Sequence, residues 1–315
     1  MIESTLELRV AGRSVAATGV VTLDLAAADG QMLPAWSPGA HIDLHLPNGL
    51  VRQYSLCGQV RDRSRWRVAV LREPAGRGGS ACVHDQLAVG DVVAGGGPRN
   101  HFVYTPAARS LFIAGGIGIT PLLPMIDAAE ADGVDWTLVY GGRTLDAMAF
   151  HEQLRALGDR VRLLPQDRHG LLPVRELLAA EPRETEVYCC GPEGLLAAVE
   201  AHHADRDPAR LHVERFAPAE RDPDAVDTTF TVTLQRSGRS LTVPADRSIL
   251  QTLEEAGVEV ESSCEEGSCG TCETPVRGGR PDHRDSVLTP VEREAGETMM
   301  VCVSRSLTAE LVLDL

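Results

Sequence analysis

The feature that most constrains this chain is a group of cysteines near its C-terminus. Residues 263–272 read SCEEGSCGTC, so Cys264, Cys269 and Cys272 follow the spacing C-x4-C-x2-C. A fourth cysteine, Cys302, is separated from Cys272 by 29 residues. Four thiolates gathered from a loop and a distant residue can hold a metal ion or a metal cluster, so the fold must bring these two segments together.

The spacing of these cysteines favours one metal centre over another. Structural zinc sites usually pair two C-x2-C segments, whereas C-x4-C-x2-C with a remote fourth cysteine is the plant-type arrangement for a 2Fe–2S cluster. Small residues within the loop would let backbone N–H groups approach the cluster sulfurs: Ser263, Gly267, Ser268, Gly270 and Thr271. The loop therefore predicts a 2Fe–2S cluster on the four cysteines, with zinc as the alternative.

Composition indicates a soluble globular protein with more than one domain. The chain has 315 residues, 43% of them hydrophobic and 24% charged, and this length predicts two or three cores. No apolar run reaches the roughly 18 residues of a membrane span, and the first residues do not resemble a secretory signal, so we expect a cytoplasmic protein. The net charge of −15 argues against nucleic acid or an anionic membrane as a partner. A monomer is the simplest expectation.

The chain divides into regions of different sequence pattern. Residues 1–105 contain short apolar runs that partly alternate with period two, which predicts antiparallel strands in a small barrel or sandwich. Residues 106–218 alternate strand and helix patterns, which predicts an α/β domain with a parallel sheet. Residues 219–228 are rich in Pro, Asp and Ala and indicate a linker, and residues 229–315 form a separate domain that carries the cysteine loop.

A glycine-rich turn follows the first strand of the α/β region. In FIAGGIGITP (residues 112–121), Gly115, Gly116 and Gly118 separate a predicted strand from a helix that starts near Thr120. Such a turn lets the backbone approach a pyrophosphate, which the helix N-terminus stabilises. Pro121 stands where a dinucleotide fingerprint has its third glycine, so an ordinary strand-to-helix turn is the alternative.

Two further segments follow later strands of the same region. Arg143 comes after one strand, and Cys190-Gly191-Pro192 follows another. Because the carboxyl ends of parallel strands share one edge of a sheet, we expect these residues to lie near the glycine-rich turn and to bind the nucleotide with it.

Several of these segments resemble a known family. SCEEGSCGTCETPVRGG, DHRDSVL (residues 282–288) and MMVCVSR resemble the C-terminal ferredoxin domain of the phthalate dioxygenase reductase family, which includes the vanillate demethylase reductases. AGGIGITP, CGP and ERF (residues 214–216) resemble the pyridine-nucleotide domain of the ferredoxin–NADP reductase superfamily. The resemblance covers nearly the whole chain and implies a flavin barrel, a nucleotide domain and a β-grasp ferredoxin domain, in that order. Taken alone, DHRDSVL also fits an ordinary solvated turn.

A flavin is implied between the nucleotide and the cluster. A hydride carrier donates electrons in pairs and a 2Fe–2S cluster accepts one, and flavin converts between the two. The segment RQYSLCG contains Arg52, Tyr54 and Ser55, and it resembles the R-x-Y-S flavin motif of the superfamily. In that family the arginine approaches the flavin phosphate, the tyrosine packs near the isoalloxazine and the serine lies near N5.

A second phosphate-binding segment and one aromatic residue complete the implied flavin site. Residues 77–80 are Arg77, Gly78, Gly79 and Ser80, which would present backbone N–H groups, a hydroxyl and a positive charge. A flexible surface turn is the alternative for this segment. Phe216 matches a family aromatic that lies over the flavin ring, and a core residue is its alternative.

The cofactor predictions rest partly on the resemblance. Members with this domain order use FMN, so FMN is favoured over FAD. No acidic residue directly follows the second strand, and Arg143 could pair with a 2′-phosphate, which favours NADPH. The resemblance favours NADH, because these reductases use NADH and carry an arginine at this position, and NADH is the prediction.

The sequence therefore predicts an NADH-dependent reductase that supplies a terminal oxygenase. A Rieske-type oxygenase is the expected partner, and a cytochrome P450 is the alternative. The stretch from Thr228 to Leu315 carries 15 acidic and 8 basic side chains, so we expect an acidic surface to dock on a basic patch of the partner. A non-enzymatic redox module or zinc-stabilised binding module is the alternative from another functional class.

Other conspicuous residues are predicted to be structural. The three tryptophans are expected to pack in the interior, as are the remaining cysteines, Cys57, Cys82, Cys189 and Cys190. His202 and His203 are adjacent on a predicted helix, where their side chains diverge, so both are expected at the surface.

Overall fold

The chain folds as two compact units. The computed structural model describes residues 5–218 and 226–315, so residues 219–225 of the predicted linker lie outside the described residues. One unit ends at Glu214 and the other begins at Arg215.

The first unit begins with a six-stranded antiparallel barrel. Its strands are β1 (Leu6–Ala17), β2 (Val20–Ala27), β3 (His41–His45), β4 (Val51–Ser55), β5 (Trp66–Leu71) and β6 (Val92–Arg99), with helix α1 (Gly79–Gln86) between β5 and β6. The strand order is β4-β3-β6-β1-β2-β5, and an antiparallel bridge between Leu56 and Val68 joins the two edges. The antiparallel strands predicted from the period-two pattern and the barrel implied by the resemblance are confirmed.

A parallel sheet forms the rest of this unit. Its strands are β7 (Arg109–Gly115), β8 (Asp135–Gly142), β9 (Val161–Pro165), β10 (Glu186–Cys190) and β11 (Leu211–Glu214), in the order β11-β10-β7-β8-β9. All four strand pairs are parallel, so the segments after β7, β8 and β10 reach the same edge. The helices are α2 (Leu122–Ala131), α3 (His151–Arg155), α4 (Gln166–His169), α5 (Val174–Ala180) and α6 (Glu193–His203). Four short 3₁₀ turns accompany them: Gly116–Ile119, Leu145–Ala147, Gly158–Arg160 and Pro208–Arg210.

One apolar core joins the barrel to the parallel sheet. Phe112, Trp136 and Tyr188 of the sheet are completely buried and share a core cluster with Ala17 and Cys57 of the barrel. Because burial of aromatic and aliphatic surface is the main stabilising contribution to folding, this shared core fixes the barrel against the sheet. Residues brought to the carboxyl edge of the sheet therefore have a defined position relative to the barrel.

The second unit is built around a mixed sheet. Its elements are β12 (Phe230–Leu234), β13 (Ser240–Val243), α7 (Ile249–Glu255), β14 (Glu273–Gly278), β15 (Pro281–Asp282), α8 (Pro290–Ala295), β16 (Thr298–Met300), β17 (Arg305–Ser306) and β18 (Glu310–Leu313). The main sheet has the order β13-β12-β18-β14-β16, and β15 pairs with β17. β12 and β18 are parallel, whereas β12–β13 and β14–β18 are antiparallel. This is the predicted α+β β-grasp arrangement.

Both helices of this unit begin with a capping box. At α7 the side chains of Ser248 and Gln251 each accept a backbone N–H of the other residue, and Thr289 and Glu292 do the same at α8. Such reciprocal caps satisfy N–H groups that a helix otherwise leaves unpaired at its start. The caps therefore fix the first residue of α7, which precedes the cysteine loop, and of α8, which precedes Cys302.

Burial confirms most of the structural predictions and contradicts one. The three tryptophans are buried, and so are Cys57, Cys82, Cys189 and Cys190. His203 is also buried, with 2% of its surface exposed, so the prediction of a surface position was wrong for this residue. It continues the buried stripe of Leu196 and Val199 on α6, because residues three and four apart share one face of a helix.

No helix in the described ranges is long and apolar enough to cross a membrane.

Candidate functional site

The residues of the R-x-Y-S segment lie at the end of β4. Ser55 is buried, whereas Arg52 and Tyr54 are partly exposed. Nη1 of Arg52 donates to the carbonyl of Val51 at 2.7 Å. Nη2 of Arg52 is buried and has no hydrogen-bond partner among the residues that the structure describes. A buried guanidinium nitrogen without a partner is destabilising, so this geometry suits an anionic ligand.

Residues 77–80 approach Arg52 where helix α1 begins. Gly78 has a φ of 92° and gives α1 no side-chain cap. A Cβ added to Gly79 would lie 2.7 Å from Nε of Arg52, so the absence of a side chain lets the guanidinium pack over the start of the helix. Ser80 accepts the backbone N–H of Glu73 at 3.0 Å, and Arg77 is exposed.

This corner has the chemistry expected for a flavin phosphate. The uncapped N–H groups of α1 and the positive end of its dipole favour an anion, and Arg52 adds a fork-shaped cation. The residues present therefore fit the phosphate of a flavin nucleotide, with Arg52 and the Gly78–Ser80 backbone as the groups that would hold it.

The glycine-rich turn lies against the segment that follows β10. A Cβ on Gly118 would be 2.3 Å from the carbonyl oxygen of Cys190, and one on Gly115 would be 2.6 Å from Cδ of Pro192. A Cβ on Gly116 would meet nothing within 4 Å, although its φ of +55° also favours glycine. Gly115 and Gly118 therefore allow two backbone segments to meet, and Gly116 leaves open space.

Thr120 and Gly191 support the same contact. The hydroxyl of Thr120 donates to the carbonyl of Ile117 at 2.9 Å, which closes the 3₁₀ turn before α2. The Cα of Gly115 would lie 2.9 Å from a Cβ on Gly191. The predicted nucleotide residues of β7 and β10 are thus brought together at one edge of the sheet.

Arg143 lies at the carboxyl edge of the neighbouring strand. It is exposed, and its carbonyl accepts the backbone N–H of Asp167 at 3.1 Å. Asp167 is also exposed and follows β9. The backbones of Arg143 and Asp167, which follow two adjacent strands, therefore meet at the carboxyl edge of the sheet to which Gly116 also belongs.

A carboxyl group between the barrel and the sheet was missing from the predicted site. Glu214 ends β11, and Sγ of Cys190 donates to its Oε2 at 3.8 Å. Burial raises the pKa of Glu214 to about 8, although hydrogen bonds from Cys190 and Ser55 lower it. Burial likewise raises the pKa of the Cys190 thiol. Glu214 thus contacts both Ser55 of the flavin motif and Cys190 of the nucleotide motif. With this raised pKa its carboxyl group is largely protonated at neutral pH.

Sequence reasoning quoted Glu214 only as part of the ERF segment. The signal available was a charged residue at the end of the last predicted strand before the predicted linker. Phe216, from the same segment, is 47% exposed and belongs to the unit that begins at Arg215.

The three loop cysteines and Cys302 converge in the second unit. The thiols of Cys269 and Cys302 lie near enough to Cys264 to lower the pKa of its thiol, and Cys302 lowers the pKa of Cys272 in the same way. Cys264 is partly exposed, and the other three are buried. The fold thus brings Cys302 to the C-x4-C-x2-C loop, as the spacing predicts.

Hydrogen bonds around Sγ of Cys264 favour its thiolate form. Sγ of Cys264 accepts backbone N–H groups from Glu266 at 3.4 Å and from Ser268 at 3.5 Å. Thiol donors from Cys269 and Cys302, together with these N–H groups, hold the pKa of Cys264 well below its usual range. The hydroxyl of Thr271 lies 3.1 Å from Sγ of Cys269. Four converging sulfurs with N–H donors fit a 2Fe–2S cluster, which these cysteines would ligate.

Comparison with known proteins agrees with this chemistry. A family described as "2Fe-2S iron-sulfur cluster binding domain" matches residues 232–307, and one described as "Oxidoreductase NAD-binding domain" matches residues 112–201. The chain is 45% identical over 312 residues to the phenoxybenzoate dioxygenase subunit beta of Ectopseudomonas oleovorans, with 98% of this chain and 97% of that protein covered. It is 42% identical over 322 residues to a vanillate O-demethylase oxidoreductase of a Pseudomonas species, with 98% and 100% covered.

Two solved structures share the architecture. Phthalate dioxygenase reductase, described as a modular structure for electron transfer from pyridine nucleotides to [2Fe–2S], is 37% identical with a TM-score of 0.70, over 99% of this chain and 98% of that one. An intact type IV self-sufficient cytochrome P450 monooxygenase is 42% identical with a TM-score of 0.93, over 99% of this chain. This chain spans 41% of that longer protein.

These matches extend over the barrel, the parallel sheet and the cysteine-bearing unit in one order. The chain therefore belongs to the oxidoreductase family of phthalate dioxygenase reductase and the vanillate O-demethylase oxidoreductases, with an NAD-binding domain and a 2Fe–2S ferredoxin domain.

Proposed function

We propose that the protein is the NADH-dependent reductase component of a Rieske-type oxygenase system. NADH would bind at the edge formed by Gly115–Thr120 and Cys190–Pro192, and FMN would bind at Arg52, Tyr54, Ser55 and residues 77–80. When bound there, FMN would supply the conversion from a hydride to single electrons, and Cys264, Cys269, Cys272 and Cys302 would hold the cluster that connects it to the oxygenase. The relatives named as dioxygenase and demethylase components support this assignment.

The observation that carries the proposal is the buried Nη2 of Arg52 beside the uncapped start of α1. The chain also has an NAD-binding domain and a 2Fe–2S domain. This anion-binding corner would therefore hold the flavin that an electron path between the two requires. The preference for FMN over FAD rests on the resemblance to reductases with this domain order.

Cofactor analysis tests this proposal. Flavin released from the purified protein is identified by chromatography, and iron, sulfide and zinc are measured on the same sample. We expect FMN with two irons and two sulfides per chain. FAD, or zinc in place of iron and sulfide, would contradict the assignment.

The preference for NADH is argued from Arg143 and Asp167. A 2′-phosphate near Arg143 would also meet the carboxylate of Asp167, which repels it, whereas a ribose hydroxyl can donate to that carboxylate. Asp167→Asn should therefore raise the NADPH/NADH ratio of kcat/KM about tenfold, measured with ferricyanide as acceptor. Glu152→Gln, at an exposed carboxylate on α3, is the control and should leave the ratio unchanged. A parent ratio that favours NADPH would refute the NADH proposal.

A cytochrome P450 is the second candidate partner. The specific observation in its favour is the structural match to a self-sufficient P450 monooxygenase. The two candidates are compared by stopped-flow reduction of a purified Rieske oxygenase and of a P450 by the reduced protein. Faster reduction of the Rieske protein supports the proposal, and faster reduction of the P450 reverses it.

The exit of electrons is proposed at Cys264. This cysteine is the least buried of the four, and Glu261 and Glu265 nearby in the chain are exposed. An acidic docking surface would accelerate encounter with a basic partner and would be screened by salt. Oxygenase reduction should therefore slow as ionic strength rises, and a rate that is independent of salt would contradict this docking mode. The monomeric state and the cytoplasmic location stay predictions.

A further inference from the structure

The DHRDSVL segment is packed against the cysteine loop, although its sequence alone also fits a solvated turn. Asp285 has no exposed surface, and Leu288 is 7% exposed. The backbone N–H of Ser286 donates to the carbonyl of Gly267 at 2.8 Å, and the hydroxyl of Ser286 reaches the same oxygen at 3.3 Å. Gly267 is within the cysteine loop, so the segment binds the loop directly.

Gly267 has no room for a side chain at this contact. A Cβ there would lie 2.5 Å from Cγ2 of Val303 and 3.0 Å from Cα of Asp285, and its φ is +71°. The loop is therefore held against residues 285 and 303 by close backbone packing, and glycine is required for it.

The carboxyl group of Asp285 fixes the turn that presents Ser286. Its Oδ2 accepts the backbone N–H groups of Val287 at 3.0 Å and Leu288 at 2.8 Å. Arg293 of α8 donates to the carbonyl of Asp285 and has a nitrogen 3.7 Å from Oδ2. A fully buried carboxyl group is destabilising unless its hydrogen bonds compensate, so its presence here indicates that the turn needs a fixed geometry.

The anchored carbonyl belongs to the same peptide group as a donor to the cluster ligand. The Gly267 carbonyl and the Ser268 N–H are the two polar ends of one planar peptide, and they point in opposite directions. The Ser268 N–H donates to Sγ of Cys264 at 3.5 Å. Holding the carbonyl therefore orients the N–H toward the sulfur.

We propose that Asp285 and Ser286 are positioning residues for the iron–sulfur cluster, and that they fix the Gly267–Ser268 peptide so that its N–H is aimed at Sγ of Cys264. The proposal rests on the proposed function in that it needs a bound 2Fe–2S cluster. N–H donors to cluster sulfurs stabilise the more negative reduced state and raise the reduction potential.

The test compares Asp285→Ala and Ser286→Ala with Asp282→Asn in the full-length protein. Asp282 is in the same segment, but its carboxylate pairs with the side chain of Arg284 at 2.6 Å rather than with the backbone of the turn that presents Ser286. The readouts are the reduction potential of the cluster, the EPR spectrum of its reduced form and the rate of iron loss to a chelator. Reduction of the flavin by NADH is measured as an internal standard, because Asp285 belongs to the other unit.

We expect Asp285→Ala to shift the redox equilibrium about tenfold toward the oxidised cluster, about 59 mV for one electron. Iron loss should be about 10- to 100-fold faster, as is typical when a residue supporting a metal ligand is removed. Ser286→Ala should shift the potential in the same direction by less, and Asp282→Asn should match the parent in all three readouts. If Asp285→Ala does not accumulate as folded protein, the reduction potential and EPR spectrum of Ser286→Ala test the proposal instead.

Potentials and spectra of Asp285→Ala and Ser286→Ala that equal those of the parent would overturn the proposal. An equal shift in Asp282→Asn would also overturn it, because the effect would then be general destabilisation of the unit. A parent protein without iron would refute the proposed function itself, and this result is distinct from the other two.

Discussion

Replacing Glu214 with Gln should remove a pH-dependent cost to stability. Burial raises the pKa of Glu214 from its ordinary value of 4.5 to about 8. Between these two values the folded chain keeps a proton that the unfolded chain has released. The free energy of unfolding of the parent therefore falls as pH rises through this window, and it stays low above pH 8.

The magnitude follows from the separation of the two pKa values. One unit corresponds to about 1.36 kcal/mol, so a rise from 4.5 to about 8 gives an upper limit of about 5 kcal/mol. Glu214 is partly accessible to solvent, and screening reduces the contribution of such a group, so we expect about 2 to 3 kcal/mol. Gln keeps an acceptor and a donor for Ser55 and Cys190 but does not ionise.

Denaturant unfolding followed by tryptophan fluorescence measures this difference. All three tryptophans lie in the unit that contains Glu214, so the signal reports on that unit. Glu214→Gln should be close to the parent near pH 5 and more stable by the stated amount near pH 9. Exposed Glu152→Gln is the control and should differ from the parent by the same amount at every pH. Parallel pH profiles for Glu214→Gln and the parent would refute the reasoning.

Three further predictions test separate parts of the site. Gly118→Ala should lower stability by about 1–3 kcal/mol in thermal unfolding, because its Cβ would lie 2.3 Å from the carbonyl oxygen of Cys190. Gly194→Ala is the control and should not lower stability, because a Cβ there would meet nothing within 4 Å. Equal effects of the two substitutions would contradict the close packing at Gly118. Arg52→Gln should weaken FMN binding about 10- to 100-fold in equilibrium dialysis, since a charge-assisted hydrogen bond is lost; unchanged affinity would remove Arg52 from the flavin site. Thr271→Val should lower the cluster potential, while Thr271→Ser should keep it, because the hydroxyl lies 3.1 Å from Sγ of Cys269; equal potentials in both variants would exclude a role for that hydroxyl.

The cysteine loop was predictable because its chemistry is encoded in short spacing. C-x4-C-x2-C specifies a set of ligands, and the remote Cys302 could be added because a plant-type cluster needs a fourth thiolate. The contact of Ser286 with Gly267 was not predictable. It joins residues 19 positions apart through a turn, and no periodic pattern encodes it.

The sequence correctly predicted that the glycine-rich turn lies at the carboxyl edge of the parallel sheet. Its glycines, however, have different roles. Sequence reasoning assigned all of them to approach of the backbone to a pyrophosphate. In the structure, Gly115 and Gly118 admit the segment around Cys190, and Gly116 leaves open space. This division depends on how β7 and β10 pair in the sheet, which the local sequence does not contain.

Partial or nearly complete burial of isolated polar residues was the least predictable feature: Glu214 is partly buried and His203 is buried. Glu214 and His203 are polar residues near the ends of regular elements, where exposure is the usual expectation. Tertiary packing decides their environment: α6 packs the face that includes His203, and β11 brings Glu214 to Ser55 and Cys190. The alternation of strands and helices predicted these elements, but not which polar side chains they enclose.

Anaerobic addition of NADH to the parent and to Cys302→Ser tests the proposed electron path most directly. Flavin absorbance and the EPR signal of the reduced cluster are followed in both proteins. The proposed path predicts that NADH bleaches the flavin in both, and that the 2Fe–2S signal appears in the parent alone. A parent whose flavin is reduced without any cluster signal, or whose flavin does not respond to NADH, would contradict it.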